Sequence, residues 1–140
     1  MFFFDKISFW KDATTYSPHS SFAQKNLGAM YYLDQNYSLA EKYSKEALTL
    51  NPEEPMAHNN LGLIYASRGQ NQDAEKEYLL ELATNPFYDN AHYNLGLLYY
   101  KMGDFKSART EWEYTLKINP SYYDAFQALQ SLTFEENKPI

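Results

Sequence analysis

The sequence of 140 residues contains no cysteine, only 5 glycines, and fewer basic than acidic residues. Without thiols the chain cannot form disulfides, cysteine nucleophiles or cysteine-based zinc sites. With 12 Lys and Arg against 18 Asp and Glu, its formal charge is −6. Binding to nucleic acid or to an anionic membrane surface needs a basic excess that displaces counterions. We therefore expect no nucleic-acid partner.

Long apolar runs are missing as well. The run at the start, Met1–Phe4, is broken by Asp5 and Lys6. It is too short for the apolar region of a secretory leader or for a membrane span. We expect no direct membrane insertion and a cytoplasmic protein, although a fragment of a membrane protein would belong to another compartment.

One pattern recurs along the chain at intervals of 34 residues. The triplet Asn-Leu-Gly begins at Asn26, Asn60 and Asn94. The same interval separates other landmark residues: Tyr31, Tyr65 and Tyr99; Ala40, Ala74 and Ala108; Pro18, Pro52, Pro86 and Pro120. Self-similarity at a fixed period indicates a repeat architecture.

Each unit of this pattern is predicted to contain two helices. Apolar and small residues recur at helical spacing on both sides of a short turn such as Gly69–Asn71. An Asn-Pro pair then closes the second helix, because proline restricts the residue before it to extended conformations. The predicted helices lie near 21–33, 37–50, 55–67, 71–84, 89–101, 105–118 and 122–134.

The period, the helix–turn–helix form and the L-G-x-x-Y…A…P pattern resemble the tetratricopeptide repeat family over residues 21–122. This resemblance implies an all-α, right-handed superhelical solenoid of three repeats with capping helices at both ends. The chain departs from the family where Trp is common, since Gln24, His58 and His92 stand there. The predicted boundaries are 1–20 for an N-terminal capping half-repeat, 21–54, 55–88 and 89–122 for the repeats, 123–134 for a C-terminal capping helix and 135–140 for a tail.

Glycine in the first helix of each unit predicts close contact between paired helices. Glycine costs about 0.5–1 kcal/mol there relative to alanine, so a tight approach must offset it. We expect each glycine to face the alanine that recurs in the second helix, with the tyrosine one turn later in the seam towards the next unit. The predicted pairs are Gly28 with Ala40, Gly62 with Ala74 and Gly96 with Ala108.

The resemblance also implies a binding surface, because the first helices of this family line a concave face that holds ligands. None of the eighteen inward-facing positions is acidic, and only Lys25 and Lys101 are charged. A neutral to slightly basic, semi-aromatic groove favours a peptide. The predicted peptide contacts are Lys25, Asn26, Tyr32, Asn60, Tyr93, Asn94, Tyr100 and Lys101. The asparagines have an alternative role, which is hydrogen bonding within the scaffold.

Another binding mode of the family captures a C-terminal carboxylate with several cations. Only Lys25 and Asn60 match that pattern, while Ala29, Asn90 and Asn94 occupy other positions of it. Two of the three expected cations are missing, so charge-assisted recognition of a carboxylate is largely lost. We predict no binding of this type.

Signals for catalysis are absent from the sequence. His19, His58 and His92 are the only histidines, and no acidic residue stands at metal-ligand spacing from them. No nucleophile turn and no phosphate-binding glycine loop is present. The sequence therefore predicts a non-catalytic scaffold for protein–protein interaction, with no catalytic residue, metal or cofactor.

The aromatic N-terminal end leaves two further interpretations open. Phe2, Phe3, Phe4, Phe9 and Trp10 either cap the first repeat or mark a surface for self-association. The segment from Phe9-Trp10-Lys11-Asp12 through Pro18 to Asn26-Leu27-Gly28 is also similar to the junction that leads into the repeat tail of certain membrane-bound glycosyltransferases. On that alternative, the chain is a soluble tail or relative that positions substrates for a catalytic domain absent here.

Overall fold

The computed structural model describes residues 5–139, which form eight α-helices and no strand. Their bounds are α1 Lys6–Tyr16, α2 Ser21–Leu33, α3 Tyr37–Leu50, α4 Ala57–Ser67, α5 Asn71–Thr84, α6 Asp89–Lys101, α7 Phe105–Ile118 and α8 Tyr123–Glu136. Two compact units divide the chain between Glu77 and Tyr78, inside α5. The all-α fold class is confirmed.

Local capping explains where the helices begin. The side chain of Ser20 accepts a hydrogen bond from the amide of Ala23 at the start of α2. Asn36 accepts one from Leu39 at the start of α3, and Asp104 accepts one from Ser107 at the start of α7. Such caps satisfy backbone donors that a helix leaves unpaired in its first turn.

Three helices differ from their predicted bounds. Asp5 caps α1 by accepting from the amide of Ile7, so this helix begins at Lys6. Helix α4 begins two residues after position 55, because Met56 adopts a left-handed conformation with φ of 72°. Helix α8 extends to Glu136, whose carboxylate pairs with Arg109 of α7. The predicted tail is therefore helical in its first two residues.

The first unit, up to Glu77, has its core between α2, α3 and α4. The core comprises Leu27, Tyr31, Ala40, Leu61 and Ile64, all less than 7% exposed. The ring of Tyr31 stacks on Tyr43 of the same hairpin, with ring centres 5.6 Å apart. This packing differs from the seam position that we expected for Tyr31.

Helix α4 is attached to α3 through the carboxylate of Glu41. Tyr65 donates its hydroxyl to Glu41 at 3.0 Å, so this tyrosine faces the preceding helix and not the next unit. Lys45, 2.6 Å away, and Arg68 also bind the carboxylate. The hydrogen bond from Lys45, followed by those from Arg68 and Tyr65, outweighs the effect of burial and lowers the pKa of Glu41 to about 2.

The second unit, from Tyr78, has its core between α6, α7 and α8. Ala108, Trp112, Ala125 and Leu132 are all at most 2% exposed. A β-carbon added to Gly96 would lie 2.4 Å from Nε1 of Trp112. The predicted close approach is confirmed, but the neighbour of Gly96 is the indole of Trp112, one turn beyond Ala108.

Candidate functional site

In the first unit, the predicted contact positions of α2 and α4 do meet. The hydroxyl of Tyr32 lies 3.4 Å from Oγ of Ser67, within hydrogen-bond distance. Tyr32 also packs against Tyr37 at the start of α3, with ring centres 5.8 Å apart. Since Tyr32 and Ser67 occupy inward-facing phases of successive repeats, the helical phases predict this neighbourhood correctly.

Lys25 is not accessible on that surface. Its side chain is 5% exposed, and Nζ lies 3.1 Å from Oε1 of Glu54. Nζ also donates to the carbonyl oxygen of Pro55 at 3.1 Å and lies 4.9 Å from the ring centre of Phe22. This burial removes Lys25 from the predicted peptide contacts and leaves the surrounding surface without its expected positive charge.

The buried carboxylate of Glu54 has three donors. Burial alone would raise its pKa, but hydrogen bonds from Ser21, Lys25 and Asn51 outweigh that effect and hold the pKa below its usual value. Ser21 donates at 2.6 Å and Asn51 at 3.2 Å. Glu54 is therefore an ion-pair partner that fastens the loop before α4 to the start of α2.

The asparagines at the repeated phase have different surroundings. Nδ2 of Asn26 donates to the carbonyl oxygen of Phe22 at 2.7 Å, within its own helix. Asn60 and Asn94 are both half-buried. Asn26 thus has the scaffold role that we named as an alternative, although its side-chain oxygen remains an acceptor.

In the second unit, Tyr93 packs against the loop before α8. Its ring centre lies 5.0 Å from that of Tyr122, whose hydroxyl donates to Oδ1 of Asn90 at 2.6 Å. Burial raises the pKa of Tyr93, and burial together with the charge of Asp89 raises the pKa of Tyr122 to about 12. Both phenols are therefore neutral donors in ordinary buffers.

The most exposed of the predicted contacts lie at the end of α6. Leu97 is 41% and Tyr100 42% exposed, and Lys101 is exposed beside them. The ring of Tyr100 packs on Phe105 at 5.3 Å between centres, which fixes one of its sides and leaves the other in solvent. We call Leu97, Tyr100 and Lys101 the α6 patch. It combines apolar area with one positive charge.

Two His–Glu pairs were missed in the sequence. Nδ1 of His58 lies 2.6 Å from Oε2 of Glu77, and Nδ1 of His92 lies 2.7 Å from Oε2 of Glu111. Each glutamate follows its histidine by 19 residues, and the two pairs are one repeat period apart. That repeated spacing was the available signal, but it joins two helices and not one helical face.

The His92 imidazole is held by acceptors on both nitrogens. Nε2 lies 2.9 Å from the carbonyl oxygen of Pro86, opposite the contact with Glu111. Gln24 makes the equivalent bond to Pro18 in the first repeat, at 3.2 Å. With two acceptors, only the imidazolium form of His92 donates to both. The hydrogen bond to Glu111 outweighs burial and raises the pKa of His92.

We expect this pair to make stability depend on pH. Because folding raises the pKa of His92, its contribution is fully present below the ordinary histidine pKa of about 6.5 and is lost as pH rises through the raised value. Urea unfolding at several pH values should show this loss for the wild type and a flatter profile for His92→Gln. Nuclear magnetic resonance titration of His92 in Glu111→Gln should give a lower pKa; an unchanged pKa would contradict the assignment.

The N-terminal aromatic residues are only partly described. Trp10 is half-buried and its ring packs edge-on against Phe22 of α2, with centres 5.7 Å apart. Phe9 is 45% exposed. The contact of Trp10 agrees with a capping helix, whereas Phe2, Phe3 and Phe4 lie outside the described residues. Self-association through this end stays a prediction.

Within residues 5–139, no helix combines the length and apolar character that a bilayer crossing requires. The same residues contain no group of three or more His, Asp or Glu side chains positioned to hold a metal ion.

Helical hairpins repeated every 34 residues define a helical-repeat protein. Family models described as tetratricopeptide repeat match residues 29–91 and 89–122. The chain belongs to the tetratricopeptide repeat family, as the sequence pattern predicts. No curated protein matches the sequence.

Solved structures of repeat proteins share this fold. The crystal structure of MamA is 25% identical, with a TM-score of 0.79 over 93% of this chain and 75% of that one. A thermophilic repeat protein of Thermus thermophilus is 21% identical, with a TM-score of 0.81 over 91% and 71%. The first repeat domain of Spaghetti (RPAP3), bound to the HSP90 peptide SRMEEVD, is 19% identical, with a TM-score of 0.79 over 85% and 94%.

Proposed function

We propose that this chain is a non-catalytic scaffold that binds a peptide segment of another protein through the first helices of its repeats. The observation that carries the proposal is the α6 patch, where leucine, tyrosine and lysine side chains are exposed side by side. The proposed contacts in the first unit are Asn26, Tyr32 and Asn60. Those in the second unit are Tyr93, Asn94, Tyr100 and Lys101.

The likeness to a repeat domain that holds the HSP90 peptide SRMEEVD supports this class of function. That domain is a different protein, and its ligand does not carry over to this chain. Lys25, the one lysine of the carboxylate-binding pattern present here, is committed to Glu54. The proposal therefore excludes SRMEEVD as a ligand, since the recognition of its terminal carboxylate needs accessible cations.

The charges of the α6 patch indicate what kind of segment it accepts. Lys101 gives the patch a positive charge on a chain whose net charge is −6. Leu97 and Tyr100 offer apolar area with a hydroxyl at its edge, which suits an extended peptide that has apolar side chains and few basic ones. The preferred segment is therefore neutral or acidic.

Affinity capture from a lysate, followed by identification of the peptide that binds, tests this function. Lys101→Glu should weaken binding of the recovered peptide, because it reverses the only charge of the α6 patch. Lys106→Glu, at an exposed lysine of α7, is the matched control and should leave binding unchanged. The peptide SRMEEVD serves as a negative control ligand.

A second variant tests the remaining contacts. Asn60→Ala combined with Tyr93→Ala removes one proposed contact from each unit. If this double variant and Lys101→Glu both bind the recovered peptide like the wild type, the first helices are not the binding surface.

A further inference from the structure

A separate pocket of about 660 Å³ lies on the second unit, between the loop before α6 and the end of α7. This volume is within the usual range for ligand pockets. It shares no residue with the α6 patch. Its lining residues are Pro86, Phe87, His92, Tyr114, Lys117 and Ile118.

The walls of the pocket are held in place. The carbonyl oxygen of Pro86 is bonded to Nε2 of His92, and the amide of Tyr88 donates to the carbonyl oxygen of Asn85 at 3.2 Å. The ring of His92 stacks on Tyr114, with centres 5.5 Å apart and planes inclined by 17°. Because these contacts fix the loop and one wall, little ordering remains to be done when a ligand enters.

Two aromatic rings of the pocket are unusually exposed. Phe87 is 77% and Tyr114 50% exposed, and neither belongs to the buried core of the unit. The equivalent positions of the first repeat hold His19 and Glu46, and Thr49 stands at the position of Lys117. Repeat packing therefore does not require these side chains, and the apolar lining with a lysine is particular to the third repeat.

The charge of the pocket is positive. Lys117 is exposed in the last turn of α7. The imidazolium of His92 is matched by the carboxylate of Glu111, so that pair adds no net charge. Tyr114 is an uncharged phenol at neutral pH. Lys117 thus leaves an excess positive charge beside apolar surface on an otherwise acidic chain, which complements a carboxylate.

We propose that this pocket binds an aromatic or large aliphatic side chain of a partner peptide whose neighbouring residue is acidic. The apolar side chain lies between Phe87 and Tyr114, and the neighbouring carboxylate pairs with Lys117. Burial of an aromatic side chain supplies most of the affinity. The ion pair selects acidic flanking residues. The site is independent of the α6 patch, so either surface can bind a partner without the other.

Titration with three blocked pentapeptides, GDFDG, GKFKG and GDADG, followed by nuclear magnetic resonance of the whole chain, tests the proposal. GDFDG should shift the signals of Phe87, His92 and Lys117. GKFKG should bind about fivefold more weakly, the equivalent of about 1 kcal/mol for one exposed ion pair. GDADG should not bind. Absence of any shift at Phe87 up to the solubility limit of GDFDG would overturn the proposal.

Variants at exposed positions make the test specific. Phe87→Ser should abolish binding of GDFDG, and Lys117→Glu should reverse the preference in favour of GKFKG. Phe134→Ser and Lys106→Glu are controls, because both side chains are exposed outside the pocket and should leave binding unchanged. Shifts confined to Leu97 and Lys101 would support the α6 patch and overturn the pocket.

Discussion

Replacing Trp112 with alanine is expected to lower the free energy of unfolding by about 3–5 kcal/mol. Trp112 is 2% exposed and is the largest of the fully buried side chains in the described residues. Its Nε1 donates to the carbonyl oxygen of Tyr93 at 3.3 Å, and its ring contacts Gly96. Truncation loses this contact area and leaves a cavity between α6 and α7. Urea unfolding followed by circular dichroism measures the loss.

Gly96→Ala tests the same contact from the opposite helix. The added methyl group would overlap the indole of Trp112, so the substitution should destabilise by about 1–3 kcal/mol. With Trp112→Leu as the background, we expect this cost to shrink, because alanine is about 1 kcal/mol better than glycine inside a helix. Phe134→Ala, 69% exposed, is a control that should change little. An equal cost of Gly96→Ala in both backgrounds would show that the indole is not the cause.

Much of the fold follows from local signals in the sequence. The predicted bounds of α2, α3, α5, α6 and α7 match the structure, because capping side chains and Asn-Pro pairs mark helix ends within a few residues. The partner of Gly96 was less predictable. Periodicity identifies a helix face, but the large side chain at position 112 reaches the glycine from one turn away.

The candidate site was harder to predict than the fold. Helical phase placed Tyr32 and Ser67 on one face correctly. It placed Lys25 there too, but could not show that Glu54, in a loop 29 residues later, draws that lysine inward. Burial of a charged side chain depends on a tertiary partner that periodicity does not encode. The pocket beside Phe87 combines a loop with two helices, so no single periodic segment contains it.

Breaking the Lys25–Glu54 pair is expected to be the largest single effect in the first unit. Lys25→Met should cost about 3–5 kcal/mol, because it leaves the buried Glu54 carboxylate without its cation. The comparison is Lys45→Met, which breaks the pair with Glu41 at a lysine that is 57% exposed. Exposed pairs contribute about 0–1 kcal/mol, so that variant should change stability much less. Urea unfolding near neutral pH measures both.

Acidification should narrow the difference between wild type and Lys25→Met. Since folding lowers the pKa of Glu54, its contribution in the wild type is present above the ordinary carboxyl pKa and lost as pH falls through the lowered value. In Lys25→Met, burial without a cation favours the protonated carboxyl group, so acid harms this variant less. A constant difference at all pH values would contradict this account.

Combining Lys25→Met with Glu54→Gln should recover most of the lost stability. The amide has nearly the shape of the carboxylate, carries no charge, and keeps an oxygen that can accept from Ser21 and Asn51. Removing both charges of a buried pair is often close to neutral, whereas removing one leaves the other unpaired. If the double variant is as unstable as Lys25→Met, the cost arises from lost packing of the lysine stem against Phe22, and the isolated charge is not its cause.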